Sequence, residues 1–594
     1  MLPNPWIKNL ESQPSKDASF VEYLRWMRSP SKDTTVDSGT ILELFEEFKD
    51  QDWSIPLKRL TERIIRLADT HFEVECPWRI RVGGHKGPES MLLPVFDALG
   101  MPYIPSSTLR GIARAIAMQD STITEGEVKD IFGDIETKSS MGKVIFLDAY
   151  PLPGKDKKAG LSGDMTNMLW TWNGDKTPEY SNPNPSIFLS LKNPSFVIGL
   201  RRTKYSPKQN NEEEDILYKV RNWLIKGLIE GIGYRVNTGY GKLRPSIKFV
   251  KELKDKEIIV PLSPILRIKF ELQGQLIHGS YSFEYWQRNN IGKYRGKAIS
   301  EVRPTAFRSM IRYWFRTLAL GVLSPGDVKR LEMEIFGGLE KNPRTDNSHT
   351  GLFRVEIEEI EVKENYSQDL PNFLSGKLTL HHNSQSQNLP ENRQQALSLL
   401  LYNLTWLMFR LGGVGQGARR PCYKRSSNPY WRGSTLIPPD TTGEFWNLPD
   451  TILEFQELFR TRLKDFYRGL RTFSLIEFDY NELKTVQTTS REWIESVDKN
   501  CQIFVCEGKQ SGNKCFALSV LHGPSFYKKE KVCGKSSIPS PVWIRQLNYV
   551  TGIDYQVITV FGATSGLRRD FVQQLTKDPS NCLQIFPLTT SNRT

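Results

Sequence analysis

Cysteine, histidine and long apolar runs are scarce in this chain of 594 residues, and each scarcity removes a class of function. The seven cysteines are odd in number, scattered, and contain no Cys-x-x-Cys pair, so no disulfide framework is expected and the thiols read as reduced. With no signal-peptide pattern, a reducing cytoplasm is the expected location. Cys501, Cys506, Cys515 and Cys533 form one loose cluster with His522 nearby, but their spacing is not that of zinc ligands, and no metal is expected. The apolar stretch Leu399 to Leu411 contains Asn403, Thr405 and Arg410 and is too short to span a bilayer, so no membrane partner is expected. The Gly-x-x-x-x-Gly-Lys-Ser/Thr phosphate loop is missing, as is a dinucleotide fingerprint with its later acid, and no cofactor is expected. The clustered carboxylates of a metal nuclease are also missing. Asp148 stands alone and Asp164 reads as a loop residue, so both are given structural roles and no catalytic residue is assigned.

What the chain has is positive charge, glycine and length. Its 80 Lys+Arg outnumber 67 Asp+Glu for a formal charge of +13, which favours a polyanionic partner. Its length exceeds what one hydrophobic core supports, so two or more domains are expected. Glycine is concentrated in Gly231-Ile-Gly-Tyr-Arg-Val-Asn-Thr-Gly-Tyr-Gly-Lys-Leu243, and again in Gly412-Gly-Val-Gly-Gln-Gly-Ala-Arg-Arg420. Each follows an apolar helical stretch. Glycines at this density let backbone amides approach an anion closely, with Arg235, Lys242, Arg419 and Arg420 adding charge beside them.

Read in order, residues 1 to about 70 are helical in pattern, and Phe72 to Val82 is strand-like, ending near His85 and Lys86. Pro105-Ser-Ser-Thr108 opens a helix that carries Arg110 and Arg114 one turn apart. Ile131-Phe-Gly133 follows, then a buried strand through Gly142 to Tyr150. Trp170, Trp172 and Tyr180 lie in a loop, where they either stack on bases or cover a core. A strand from Phe196 and a helix from Ile216 lead into the first glycine loop. Residues 251–264, charged and bearing proline, read as a linker.

The same events then recur. A strand from Ile265 to Leu276 ends at His278, and Arg303-Pro304 opens a helix with Arg308, Arg312 and Arg316 four residues apart. Ile335-Phe-Gly337, a strand from Leu352, and the helix Leu399 to Leu411 lead into the second glycine loop. Four signposts in one order, twice, indicate tandem homologous domains. Alternating strands and helices give an α+β fold of ferredoxin-like βαββαβ modules, the architecture of RNA-recognition domains, with helical insertions and no aromatic RNA-binding signature on a strand. The expected division is a helical extension at 1–70, domains at 71–250 and 265–425, and an α+β remainder at 426–594 that holds a helix at Ile452 to Leu470 and strand-like Gln502 to Cys506 and Ile558 to Phe561.

These signposts resemble the RAMP superfamily of CRISPR effector subunits, whose members carry an Arg-bearing first helix and a terminal glycine-rich loop on ferredoxin-like folds. Pro105-Ser-Ser-Thr-Leu-Arg-Gly111, Leu147-Asp-Ala-Tyr-Pro151, Asn182-Pro-Asn-Pro185 and the loop 231–241 are similar to the sixth subunit family of the type III-B Cmr complex. Glu301-Val-Arg-Pro-Thr-Ala-Phe-Arg308, Ile311-Arg-Tyr-Trp-Phe-Arg316 and Gly412 to Pro421 are similar to the first, so the chain resembles a natural fusion of the two. In the second loop, Gln416 and Pro421 depart from the usual run.

The resemblance implies a non-catalytic, RNA-binding role in antiviral defence, with crRNA and target RNA as ligands. The implied protein partners are the backbone, small helical and large polymerase-like Cmr subunits. The expected RNA contacts are Arg110, Arg114, Gly231, Gly233, Tyr234, Arg235, Asn237, Thr238, Gly239, Tyr240 and Lys242 in the first half. In the second they are Arg303, Arg308, Arg312, Arg316, Gly413, Gly415, Gly417, Arg419, Arg420 and Lys424, with His85, Lys86 and His278 as secondary candidates. The alternative is a processing endoribonuclease of the same superfamily using His85 or His278 as general base.

Overall fold

A computed structural model describes residues 52–83, 95–97, 100–134, 141–154, 160–166, 170–172, 174, 176–180, 186–204, 215–247, 264–288, 291–339, 348–364, 369–415, 417–427, 429–439, 443–486, 495–508, 510–511, 514–535, 538–547 and 555–588. The expected helices before residue 52, His85, Lys86, Gln416 and the linker through residue 263 lie outside them. The chain divides into two compact units. One comprises Met1–Asn167, Pro185–Pro261 and Ser280–Ile299, and the other Met168–Asn184, Leu262–Gly279 and Ser300–Thr594.

The first unit holds one βαββαβ module: β1 (Thr70–Glu75), α1 (Ser106–Ala117), β2 (Val144–Phe146), β3 (Ser195–Arg202), α2 (Ile216–Glu230) and β4 (Arg244–Pro245). The antiparallel sheet runs β2-β3-β1-β4, the ferredoxin-like order. Leu109, Ala113 and Ala117 recur every four residues along α1, and Leu217, Val220, Leu224 and Leu228 line α2, so each helix presents an apolar stripe. These stripes meet Phe72, Val74, Phe196, Ile198 and Leu200 from the sheet. Asp215 caps α2 by accepting from the Leu217 amide at 2.8 Å. Asp148 does the equivalent at α1, accepting from the Ser106 amide at 2.6 Å, which gives that lone carboxylate a structural task. On the opposite face of the sheet, Ile64 and Ala68 at the end of the helix Ser54–Leu67 pack over Gly199. The sheet face that RNA-recognition domains use is therefore occupied here.

The second unit repeats the plan twice. β5 (Pro264–Gly274), α3 (Pro304–Ala319), β6 (Phe353–Lys363), β7 (Phe373–His382), α4 (Glu391–Leu411) and β8 (Ser434–Ile437) form a sheet ordered β6-β7-β5-β8. β5 alternates cleanly, with Leu266, Ile268, Phe270 and Leu272 inward and Arg267 and Lys269 exposed. The fourth strand lies beyond residue 425, so this module extends past the boundary expected from sequence.

The remainder, expected from sequence as the C-terminal α+β part of the first-subunit-like region, is a third module with a sheet of its own. It consists of β9 (Gln502–Glu507), α5 (Phe516–Leu521), β10 (Val542–Leu547), β11 (Tyr555–Val560), α6 (Gly566–Leu575) and β12 (Cys582–Phe586), again in the order β10-β11-β9-β12. Ile503 and Val505 of β9 join the large core with Phe455, Phe459 and Phe466 of the helix Ile452–Ser474, while Phe504 and Cys506 join the smaller core under α5 and α6. The disulfide expectation is corrected here. Cys506 and Cys582 stand opposite each other on neighbouring strands and their sulfurs are bonded, while Cys501 and Cys515 are buried and outside the disulfide. No helix among the described residues is long and apolar enough to cross a membrane.

Candidate nucleic-acid interface

The first glycine loop is held from beneath. Arg79–Ile80 pairs with the strand Ser186–Lys192, which pairs in turn with Leu161–Thr166, giving a small second sheet. The loop closes onto this sheet through the Gly241 amide donating to the Arg79 carbonyl at 2.8 Å and the Tyr234 amide donating to the Arg81 carbonyl at 2.8 Å. Gly233, at φ 82°, has the Arg81 carbonyl 2.3 Å from where a Cβ would stand, and Gly241, at φ 69°, has the Ile232 carbonyl 1.8 Å away. Only glycine permits that approach.

Below the loop lies a buried polar network. The Tyr240 hydroxyl donates to Asp164 Oδ2 at 2.6 Å, Ser190 Oγ donates to the same oxygen at 3.2 Å, and Arg79 donates to Ser190 Oγ at 2.8 Å with its guanidinium 3.8 Å from Asp164. Two expectations are corrected by it. Tyr240 is fully buried, with Trp78 at 4.6 Å between ring centroids, so it stacks on protein and not on a base. Asp164 belongs to a strand, not a loop, and serves the network.

Above it the loop is open. Gly233 is exposed and Tyr234 is 43% exposed. The guanidinium groups of Arg81 and Arg235 lie 5.1 and 5.0 Å from the Tyr234 ring centroid, and the Phe188 ring meets Tyr234 edge-on at 6.3 Å. Arg235 takes a left-handed backbone, φ 58°, and opens the short 3₁₀ turn Val236–Thr238. The amides of Arg235, Val236 and Asn237 find no acceptor among the described residues, whereas those of Ile232, Thr238 and Gly239 are spent within the loop and that of Gly231 on the end of α2. Thr238 Oγ1 donates to the Arg235 carbonyl at 2.8 Å and braces the turn. Burial lowers the Arg81 proton affinity, the Tyr234 ring works to raise it and the Arg235 charge lowers it further, so two like charges are held close around one ring. Neither Arg81 nor Phe188 carries a signal in the sequence: Arg81 follows the strand Arg79–Ile80, Phe188 lies within Ser186–Lys192, and only the fold brings them to Tyr234.

Arg110 and Arg114 occupy the fifth and ninth positions of α1, and Arg308 and Arg312 occupy the same positions of α3. The register of the duplication is therefore real, but the environments differ. Arg110 is exposed, Arg114 half-buried, and neither forms an ion pair among the described residues. Arg308 is buried and donates to the carbonyls of Phe353 and Phe336, both at 2.9 Å; burial, with Arg312 alongside, brings it down to about 9, still charged at neutral pH. Arg312 Nε donates to Glu332 Oε1 at 2.6 Å, and Arg316 forks the same carboxylate with two bonds of 2.6 Å. Arg303 is buried 3.8 Å from Glu301. The expected phosphate stripe on α3 is thus corrected to a buried charge network, because the apolar side of the helix wraps far enough to enclose it.

The second glycine loop is corrected likewise. Gly413 and Gly417 are buried, and a Cβ on Gly417 would lie 2.4 Å from the Gly433 carbonyl carbon, so this glycine serves close packing against the start of β8. Arg419 donates to Glu495 Oε1 at 2.6 Å, to the Ser540 carbonyl at 2.7 Å and to the Tyr180 hydroxyl, and its guanidinium lies 4.6 Å from the Trp543 ring centroid. Arg420 donates to the Val542 carbonyl and to Ser540 Oγ at 2.7 Å. Gly415 is half-buried, and Lys424 stays partly open, 3.5 Å from Asp369. Trp170 and Trp172 pack against the second unit's core, with the Arg316 guanidinium 5.6 and 5.3 Å from their rings, so core covering is their role. His278 begins the strand His278–Arg288, and its side chain lies outside the described residues.

Residues 71–244 match the model of the RAMP superfamily. No protein of curated function matches the chain. Two chains from solved structures are similar to it. One, from the type III-B Cmr-beta bound to cognate target RNA, is 24% identical, with 35% of this chain and 70% of that chain covered and a TM-score of 0.26. The other, from the type III-B Cmr-beta bound to cognate target RNA and AMPPnP in the presence of single-stranded DNA, is 10% identical, with 53% and 99% covered and a TM-score of 0.29.

Proposed function

With a RAMP-superfamily domain at residues 71–244 as the premise, we propose that this chain is a non-catalytic RNA-binding subunit of a type III-B CRISPR effector complex. In this reading it holds the crRNA 3′ region and the crRNA–target RNA duplex, alongside the backbone, small helical and large polymerase-like subunits. The assembly is taken from the resemblance of its motifs to the first and sixth Cmr subunit families.

The observation that carries the RNA reading is the exposed Tyr234 ring, with Arg81 and Arg235 beside it, on a loop fixed from below. An aromatic face beside two guanidinium groups and three unspent amides suits a nucleotide, with the base on the ring and the phosphate on the amides and arginines. The first module carries this function in our reading, since the matching arginines of the second are spent internally. Fluorescence anisotropy with a labelled crRNA-like oligonucleotide tests it. Stoichiometric, salt-sensitive retention without cleavage is expected from the purified chain, with Tyr234→Ala and Arg235→Glu each weakening it. Retention indifferent to both substitutions would overturn the site, and turnover of the RNA would overturn the non-catalytic role.

A further inference from the structure

The third module presents an aromatic and basic cluster that the glycine-loop site does not use. Tyr423, His522 and Tyr527 meet edge-on, with centroids 6.1 and 6.0 Å apart. The inner rings are half-buried, and Tyr527 at the edge of the cluster is 53% exposed. Lys528 places its ammonium 5.2 Å from the Tyr527 centroid, and its backbone takes φ 58°, a region that a long side chain rarely adopts. The run Tyr527-Lys-Lys-Glu-Lys-Val-Cys-Gly-Lys535 sets four lysines against one acid, Glu530, which is paired with Lys535 at 3.0 Å. Lys528 and Lys529 are exposed and form no ion pair among the described residues. The local field is positive: burial, together with Lys514 and Arg420, holds His522 down at about 4, so its imidazole stays neutral and its ring is available for packing.

We propose that Tyr527, Lys528 and Lys529 form a second contact for single-stranded RNA, with an unpaired base on the Tyr527 face and flanking phosphates on the two ammonium groups. This rests on the RNA-binding reading above. A single strand is the fitting ligand because an exposed ring can receive only a base that is free of its own stack, whereas a duplex offers phosphates alone. Tyr527 and the two lysines lie outside every motif that carries the family resemblance, so the site is a property of this chain's third module.

The test uses the full chain and a single-stranded uridine-rich RNA with photoreactive 4-thiouridine. A crosslinked peptide containing Tyr527 is expected. Tyr527→Ala should lower affinity about tenfold while Tyr527→Phe keeps it, since the π-face is what is read. The Lys528→Ala/Lys529→Ala pair should reduce the slope of log affinity against log salt by about 1.4, at roughly 0.7 per single-strand phosphate contact. All three positions are exposed, so melting temperatures should match the unsubstituted chain. Unchanged affinity, slope and crosslinks in these variants, with Tyr234→Ala still weakened, would overturn the second contact and leave the first. No retention of RNA by the unsubstituted chain would sink the parent reading as well. RNA binding left intact by Lys528→Ala/Lys529→Ala while co-purifying protein subunits are lost would also overturn it, in favour of a protein partner.

Discussion

The Tyr240 hydroxyl donates to Asp164 at 2.6 Å, joining two residues 76 positions apart beneath the first glycine loop. Both are buried, so the bond forms where no water can replace it. Tyr240→Phe keeps the ring against Trp78 and removes only the donor. It is expected to cost about 1–3 kcal/mol of unfolding free energy in urea denaturation, the usual cost of leaving a buried acceptor short of a partner. RNA affinity of the folded variant should change little, because Tyr240 never reaches the surface.

Glu332 lies fully buried between Arg312 and Arg316. Burial works to raise its carboxyl, and the two guanidinium groups outweigh that, holding it below the usual glutamate range. A depressed folded-state value contributes stability above the unfolded value, which is lost as pH falls through the folded one. Unfolding free energy should therefore be flat above about pH 5 and decline below about pH 4. Glu332→Gln should lose roughly 3–5 kcal/mol at neutral pH, since two guanidinium groups are left uncompensated, and should show a shallower acid decline. A variant as stable as the parent would show that the network is dispensable.

How much of this was legible in the sequence depends on whether a residue's neighbours were local. The βαββαβ order, the Arg-bearing helices and the glycine loops follow from spacing along single elements, and the register of Arg110 with Arg308 survives in the structure. The fate of those arginines did not follow, because Glu332, Phe353 and Glu495 are distant in sequence and decide whether a guanidinium faces water or protein. The third module is a different case. Its strand-like runs Gln502 to Cys506 and Ile558 to Phe561 are legible and coincide with β9 and the end of β11, but its first helix, Phe516–Leu521, carries no arginine and no glycine loop follows its second, so nothing in the sequence marks it as a further repeat. Arg81 and Phe188 were missed because nothing in their own segments marks them; they matter only through Tyr234.

The salt dependence of RNA binding separates the sequence reading from the structural one. About six basic side chains neutralising phosphates on single-stranded RNA, as the two halves together suggest from sequence, predict a slope of about −4. The structure leaves Arg110, Arg114 and Arg235 as the arginines of the expected RNA contacts with neither an ion pair nor a guanidinium hydrogen bond among the described residues. Replacing these three with alanine should make the slope of log affinity against log salt shallower by about 2, at roughly 0.7 each on a single strand. Replacing Arg308, Arg419 and Arg420 should leave the slope of any folded protein unchanged and show its effect in stability instead.

The two glycine loops offer the sharpest contrast, since the same substitution should do different things in each. At Gly233 the backbone stands at φ 82° and the Arg81 carbonyl leaves no room for a methyl group, so Gly233→Ala must shift the loop away from its anchor. Tyr234, the next residue, hangs on that anchor through its own amide, and its ring moves with it. RNA affinity should fall about tenfold or more, as for loss of a stacked base, alongside a modest drop in stability. At Gly417 the obstruction is the Gly433 carbonyl carbon inside the protein, and no exposed ring depends on it. Gly417→Ala should cost roughly 1–3 kcal/mol of stability, as overpacking does, with affinity measured below the melting transition unchanged. Equal affinity losses in the two variants would mean that the second loop also touches RNA, and the assignment of recognition to the first module would have to be given up.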